Sequence, residues 1–474
     1  MGLFTTLNIG AEALNAYSQA LTVAQNNVSN ASTPGYATQL PTLEASPLQL
    51  DVGLPGGVTA GDPQSTRNEY LEQAVRTQAE LNGGYTAQSQ VLSSIEPVFD
   101  VTGQSGIDGA LNNLFQSFSA WSANPSDPST RQSVISNAQD VANSFQQATS
   151  ALATVTSSNT GQISSTVQQI NTLAAQIQSY NAAKLQSPGP DAGLDAQVHS
   201  TLEQLAGLAN ITANFQSNGT VTVLLGGQTP LVIGNTVSAV TAGSSNGASP
   251  TNPNAPPDAT ILDSNGKDVT SEISGGTLGG LLQVANTVLP SLRGDGSQAG
   301  ALNQLAKQVA DRVNQILESG QTSSGQPGVA LFSYDSSSNA NVAQTLTLNS
   351  NATADSLAEV APGPPAVSNG TALTLANLGE STNSQDEIGG LPILGFYAAT
   401  AAKVGGISAS ATSGAQESTQ ALAQAQSFRD AASGVSLDAE AVRVQELQTG
   451  YQAASKLIST VAALTDTLMS MVTT

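Results

Sequence analysis

The chain has 474 residues, no cysteine, 12 Lys and Arg against 34 Asp and Glu, and only 4% aromatic residues. A formal net charge of −22 repels phosphate backbones and anionic lipid, which excludes nucleic acid and membrane surfaces as ready partners; no run reaches the ~18–20 apolar residues of a membrane span. Without cysteine there is neither a disulfide nor a thiolate metal site, and the abundance of small side chains favours slender helix-on-helix packing over one broad core.

Leu3, Leu7, Gly10, Leu14, Tyr17, Leu21, Ala24, Val28 and Ala31 recur at alternating steps of four and three, a seam for pairing with another helix. The opening "MGLFTTLNIG" lacks the basic region of a secretory signal. The seam runs into "NNVSNASTPGYATQ", Asn26 to Gln39. Its asparagines stop a helix because their side chains compete for backbone hydrogen bonds. Pro34 and Gly35 suit the centre of a type II turn, where glycine accepts a positive φ, and Tyr36 is expected to fold back as an apolar plug with a polar tip.

A second helix follows on Leu71, Ala74, Leu81, Tyr85, Leu92, Ile95 and Phe99, weakened by Gly83 and Gly84. Asp127 and Pro128 read as the cap and first turn of another. Its seam of Val134, Ala138, Val141, Phe145, Ala148, Leu152 and Val155 changes phase after Gly161 and resumes on Val167, Ile170, Ala174 and Ile177. Such a stutter unwinds a coiled coil locally while the rod continues. "SPGPDAG" is a loop.

From Ile211 the period becomes two. "NGTVTVLL" and "TPLVIG" read as hairpin strands around Gly226 and Gly227, followed by a loop over 242–258 and a further hairpin in "ATILDSNGKDV". Leu302, Ala306, Val309, Val313 and Ile316 mark another helix. Residues 321–395 read as a β-rich insertion, and 396–433 as a returning helix. The chain closes on Val444, Leu447, Tyr451, Ala454, Ile458, Val461, Thr465, Leu468 and Val472, again alternating four and three. The fold class is therefore mainly α with β-rich insertions, elongated and multidomain, its terminal helices paired as a coiled coil. The expected units are 1–45, an N-terminal axial helix and turn; 46–320, a helical rod with a hairpin portion near 211–275; 321–395, a β-rich outer domain; 396–433, the returning helix; and 434–474, a C-terminal axial helix.

Catalysis has little to work with. His199 is the one histidine, and its helical spacing gives it a surface or packing role. Asp191 and Asp195 read as a capped helix start rather than a metal site. "DSNGKDVTSE" misplaces the glycine of a calcium loop, and Arg293-Gly294-Asp295 is ordinary turn composition. No catalytic, cofactor-binding or metal-binding residue is assigned, and no cofactor is expected.

Asn27, Val28, Asn30, Thr33, Pro34, Gly35 and Tyr36 resemble the N-terminal signature of flagellar rod, hook and hook-associated proteins, roughly Asn-Ile-Ala-Asn followed by Thr-Pro-Gly-Tyr. Within that superfamily the chain is most similar to the hook-associated protein 1 family, the FlgK type. Gly434, Leu437, Asp438, Glu440, Gln448, Tyr451, Gln452, Ala453, Ser455, Ile458, Asp466, Thr467 and Leu468 carry the likeness at the C-terminus. "NPSDPSTRQSVISNA", "GGTLGGLLQVANTVLPSL", "LNQLAKQVADRVNQI" and "LFS" carry it in the middle. Three departures stand out: Ala37 and Thr38 where a basic residue is usual, Gly450 where the family tends to alanine, and "LDAQVHS" in place of a Leu-Asp-Gln-Arg-Asp run.

The resemblance implies a non-enzymatic adaptor at the hook–filament junction, exported through the flagellar type III pathway to the extracellular flagellum. It implies self-association in a ring and contact with the hook protein. It further implies contact with a second junction protein or the filament side, and an export chaperone on the C-terminal helix. Leu3, Leu7, Leu14, Tyr17, Leu21 and Val28 would form one assembly seam; Val444, Leu447, Tyr451, Ala454, Ile458, Val461, Leu468 and Val472 would form the other. The alternatives are a hook or rod protein with the same ends, or a secreted surface adhesin. A secreted hydrolase has no visible site.

Overall fold

A computed structural model describes residues 3–49, 54–100, 105–245 and 256–472; the side chains of Leu3, Phe4, Leu48, Gln49, Leu54, Pro55 and Val472 lie outside that description. Most of the loop expected over 242–258 also lies outside the described residues, at 246–255. The accessible surface, 22503 Å², compares with roughly 16,400 Å² for a compact chain of 47.7 kDa. The fold is elongated.

Helix α1 (Leu3–Ser29) leads through the Asn/Pro/Gly turn into a long antiparallel hairpin, β1 (Gln39–Gln49) with β2 (Leu54–Ser65). Helices α2 (Glu69–Ile95), α3 (Gly106–Ala123), α4 (Pro128–Gln186) and α5 (Ala192–Leu208) follow. Four strands form a meander in the order β3-β4-β5-β6: β3 (Ile211–Phe215), β4 (Val221–Leu225), β5 (Thr229–Ile233) and β6 (Thr236–Val237). The β4–β5 turn is the expected one, with Gly226 at φ 60° and Gly227 at φ 74°, the two left-handed residues of a type I′ turn. Strand β7 (Thr241–Ser244) pairs with β8 (Ala259–Leu262). "ATILDSNGKDV" thus finds its main partner upstream and keeps only a single bridge, Leu262 to Asp268, within itself.

Next come α6 (Gly276–Gln283), a π turn at Val284–Val288, α7 (Leu289–Arg293) and α8 (Ala301–Ser319). A loosely structured stretch holds β9 (Phe332–Ser333), α9 (Val342–Thr345), β10 (Thr347–Leu348) and α10 (Gly370–Ala376). The chain returns in α11 (Ile393–Ser433) and ends in α12 (Leu437–Val472).

The 59 residues of α4 span about 88 Å at 1.5 Å per residue. Asp127 caps it by accepting from the Ser129 amide at 2.9 Å, with Pro128 in the first turn. Its buried positions alternate four and three up to Val155, then step by four through Asn159, Ile163 and Val167. That is the expected stutter. Asn159 fills the shifted place by donating to the Leu281 carbonyl at 3.1 Å.

Gly83 and Gly84 do not merely weaken α2. A Cβ at Gly83 would stand 2.0 Å from the Gly207 carbonyl oxygen, and Gly84 faces Gly276 and Gly280. The helix crosses α5 and α6 backbone to backbone, which only glycine permits.

Residues 321–395 carry two two-residue strands, turns and short helices rather than a β-rich unit. Their Leu331, Phe332, Val342, Leu346, Leu357, Leu375 and Leu378 belong to the same apolar core as α2, α3, α4, α8 and α11. So rich a run of Ser, Asn, Gly and Pro satisfies its backbone through tight turns, isolated bridges and side chains instead of a long ladder. Asn314, for example, accepts from the Leu331 and Phe332 amides at 2.8 and 2.9 Å. A buried ion pair, Arg131 with Glu359 at 2.8 Å, pins the segment to α4.

Candidate assembly site at the paired ends and the neck

Helices α1 and α12 lie antiparallel. Gly10 faces Ile458 and Tyr17 faces Gly450, while Ala20, Ala24 and Leu447 form a small apolar cluster with Tyr17, Leu21 and Val444. The departure at Gly450, where the family tends to alanine, has its reason here: a Cβ would stand 2.7 Å from the Tyr17 ring.

The deepest line of α1 runs on Gly10, Ala16, Ala20 and Ala24, which let the helices approach closely. The larger residues straddle its edges: Leu7, Leu14, Tyr17 and Leu21 are half-buried, and Val28 is 43% exposed. The side chain of Leu3 lies outside the described residues. On α12 every seventh residue is buried, at Glu440, Leu447, Ala454 and Val461, the signature of one heptad position. Val444 and Ile458 are half-buried, whereas Tyr451 and Leu468 are 40% and 51% exposed; the side chain of Val472 lies outside the described residues. The alternating pattern therefore finds the right pair of helices while placing some of its large residues on the open side. There Val442, Tyr451, Leu457, Leu464 and Leu468 leave much of their apolar surface uncovered within the chain.

The turn after α1 is built around Asn27, which is fully buried. Its Nδ2 donates to the Gln39 carbonyl at 2.8 Å, and its Oδ1 accepts from the Gln39 amide at 3.0 Å and the Tyr36 hydroxyl at 2.9 Å. One side chain thus joins the helix end, the turn and the first hairpin residue. Thr33 donates to the Asn30 side chain at 3.0 Å, and the Tyr36 amide closes the turn on the Thr33 carbonyl at 3.2 Å. Gly35 has φ 74°, as position i+2 of a type II turn requires. A Cβ there would meet the Ala196 carbonyl oxygen of α5 at 2.5 Å. Ala37 and Thr38, where a basic residue was expected, turn inward: Ala37 is buried, and the Thr38 amide and hydroxyl donate to the Ser433 and Gly434 carbonyls, each at 2.8 Å.

Below that turn lies a polar knot that no local motif announces. Arg67 donates to Asp195 through Nε and Nη2 at 2.9 and 2.6 Å, to the Gly35 carbonyl at 2.7 Å, and to Glu72. Arg429 of α11 pairs with Glu203 of α5 at 2.6 Å. His199 lies 2% exposed between them, stacked on Phe215 with ring centroids 4.9 Å apart. Burial, then Arg67, Arg76 and Arg429, push its pKa down to about 2. A neutral, enclosed imidazole is a packing element rather than a general base.

The expected capping role of Asp191 holds, as it accepts from the Leu194 amide at 2.9 Å, while Asp195 serves Arg67. Asp263 accepts from the Asn265 and Lys267 amides of its own turn. Arg293 and Asp295 are both turned inward: burial lowers the Arg293 pKa, and Asp295 is 7% exposed and accepts from Ser297 and Gln298. The Arg-Gly-Asp tripeptide is not displayed. Among the described residues no group of His, Asp and Glu is arranged to hold a metal ion, and no helix is long and apolar enough to cross a membrane.

The family described as "Flagellar hook-associated protein FlgK helical domain" matches residues 92–332. The two ends match rod families: "Flagella basal body rod protein" over 7–36 and "Flagellar basal body rod FlgEFG protein C-terminal" over 427–471. The flagellar hook-associated protein 1 of Bacillus subtilis is 25% identical, with 98% of each chain covered. That of Salmonella typhimurium is also 25% identical over 72% of this chain, which spans only 62% of its length. A solved structure, the flagellar hook junction protein FlgK from Burkholderia pseudomallei, shares the fold with a TM-score of 0.62 at 17% identity, covering 76% of this chain and 99% of that one. With just over half of its residues matched to the helical domain and both ends to the wider superfamily, the chain belongs to the FlgK family of flagellar hook-associated proteins.

Proposed function

We infer that this chain is a structural adaptor at the bacterial flagellar hook–filament junction, exported by the flagellar type III pathway and assembled as a ring on the distal end of the hook. The helical-domain match over 92–332 carries the reading. It lies in the middle of the chain, whereas the ends, matched to rod families, are common to rod, hook and hook-associated proteins alike. A hook or rod role is the rival those shared ends leave open. The adhesin reading loses its main support with the tripeptide turned inward.

The division of labour follows the proposed units. The α1–α12 stem, with the Asn27-to-Tyr36 turn and the β1–β2 hairpin that packs on α1, is the axial part, and residues 67–433 project from it. The uncovered apolar residues of α12 from Val442 to Leu468 are the surface on which neighbouring subunits, the hook protein and the filament side or a second junction protein would close. Before export the same face suits a chaperone. Burying it in the subunit array supplies the driving force that the lone stem lacks.

The test is complementation of a strain lacking its own copy with a chain ending at Gly434. Hooks without filaments, alongside a folded and secreted middle, are expected. Normal swimming with the truncated chain overturns the role of α12.

A further inference from the structure

The stem and the body each have their own apolar cluster. The large core runs through α2, α3, α4, the sheet, α8 and α11, and the small one holds Ala20, Ala24 and Leu447. Two chain passes lead from the stem to the body, at Thr66 and at Ser433–Gly434, and they run beside Thr38, where the stem turn enters the β1–β2 hairpin that packs on α1. They are laced by hydrogen bonds: the Thr66 amide to the Thr38 carbonyl at 2.9 Å, the Ser433 hydroxyl to the Thr66 carbonyl at 3.1 Å, and the Thr38 bonds to Ser433 and Gly434. A waist of two crossings, one extended at Thr66 and one leaving the end of α11 at Gly434, resists stretching but bends easily, so the angle between stem and body must be set by something beside it.

We propose that the Arg67 guanidinium is the fastener that fixes this angle. It is the side chain that reaches from the neck to three separately mounted acceptors: the Gly35 carbonyl of the stem turn, Asp195 on α5 and Glu72 on α2. A planar fork with five donors holds three directions at once, which a lysine ammonium on a flexible stem does not reproduce. The side chain is 6% exposed, so water screens these bonds little. Gly35 adds the second half of the device. Without a side chain, the turn lies flush against the Ala196 carbonyl and Ser200 of α5, and Arg67 holds it there. Arg429 and Glu203 fix α11 to α5 next to it, so the acceptors are mounted on a rigid base. Nothing in this requires the junction role, since the geometry belongs to a single chain.

The absence of cysteine makes the test direct. A nitroxide pair placed on exposed Thr22 of the stem and exposed Gln176 of α4 reads the stem–body distance distribution by double electron–electron resonance on the full-length protein. Arg67→Met is expected to broaden that distribution at least twofold with helical content retained, and Arg67→Lys to fall between it and the wild type. Arg312→Met, which breaks an ion pair of similar burial inside the body (Arg312 with Asp386, 2.6 Å), is expected to leave it unchanged. A distribution as narrow in folded Arg67→Met as in the wild type overturns the proposal, as does equal broadening by Arg312→Met. If Arg67→Met does not fold, Asp195→Asn decides. That carboxylate is 38% exposed; broadening supports the fastener and an unchanged width refutes it.

Discussion

His199 is expected to make the neck acid-labile by a calculable amount. Three carboxylate oxygens compete for a proton on its ring, Glu69 at 3.5 Å, Asp195 at 3.7 Å and Glu72 at 3.9 Å. Against them stand burial and three guanidinium groups, and the depressed pKa of about 2 says which side wins. The reason is geometric. Asp195 and Glu72 already bond Arg67, and Glu69 is 57% exposed, where water weakens its pull.

With an unfolded value near 6.5 and a folded value near 2, the unfolded chain binds the extra proton throughout that interval. Stability from this group is therefore complete above pH 6.5 and is lost as pH falls. Between pH 7.5 and 5.5 the loss comes to about 1.4 kcal/mol. Urea unfolding followed by circular dichroism at both pH values, for the wild type and His199→Gln, isolates this term, because the other titrating groups are common to both proteins. The wild type should lose about 1.4 kcal/mol more than the variant over that step. Equal losses, or a wild type that gains stability at pH 5.5, would mean that Glu69 holds an imidazolium and that the reasoning is wrong.

Two further changes probe the stem. Asn27→Leu removes three hydrogen bonds and leaves the Gln39 amide and carbonyl without their partner, a loss of roughly 3 kcal/mol. It should appear as faster amide exchange across β1 and β2, and unchanged exchange there would contradict the central place given to Asn27. Gly450→Val pushes a side chain into the Tyr17 ring and should part α1 from α12. Limited proteolysis would then cut α12 while sparing α4, and equal protection of α12 in the variant would count against the register.

The long helices were legible because a four-and-three repeat survives from sequence to structure: the Asp127 cap, the stutter near Gly161 and the pairing of the two ends stand as read, and their antiparallel direction comes from the structure. The type II turn at Pro34–Gly35 was legible too, since few residues tolerate its left-handed position. Three things were not legible. The hairpin 39–65 carries Pro41, Pro47, Pro55 and Pro63, which argue against paired strands by local rules. It exists because α1 covers it and its edges need no further partner. The segment 321–395 has strand-like runs whose backbone bonds go to turns, isolated bridges and side chains such as Asn314, a tertiary solution invisible to periodicity. The knot around Arg67 gathers residues separated by more than a hundred positions, Arg67 with Asp195 for instance, and only the fold brings them together. The seams themselves were found, yet sequence favoured their large residues, while the contact is closest over Gly10, Ala20 and Ala24 because small side chains govern how near two helices come.

The position of this chain along isolated hook–filament structures tests the central claim most directly. Gold-labelled antibody against residues of the body should mark a single narrow band where hook meets filament. Label spread along the hook, or confined to the basal rod, would contradict the junction role and favour the rival reading of the shared ends.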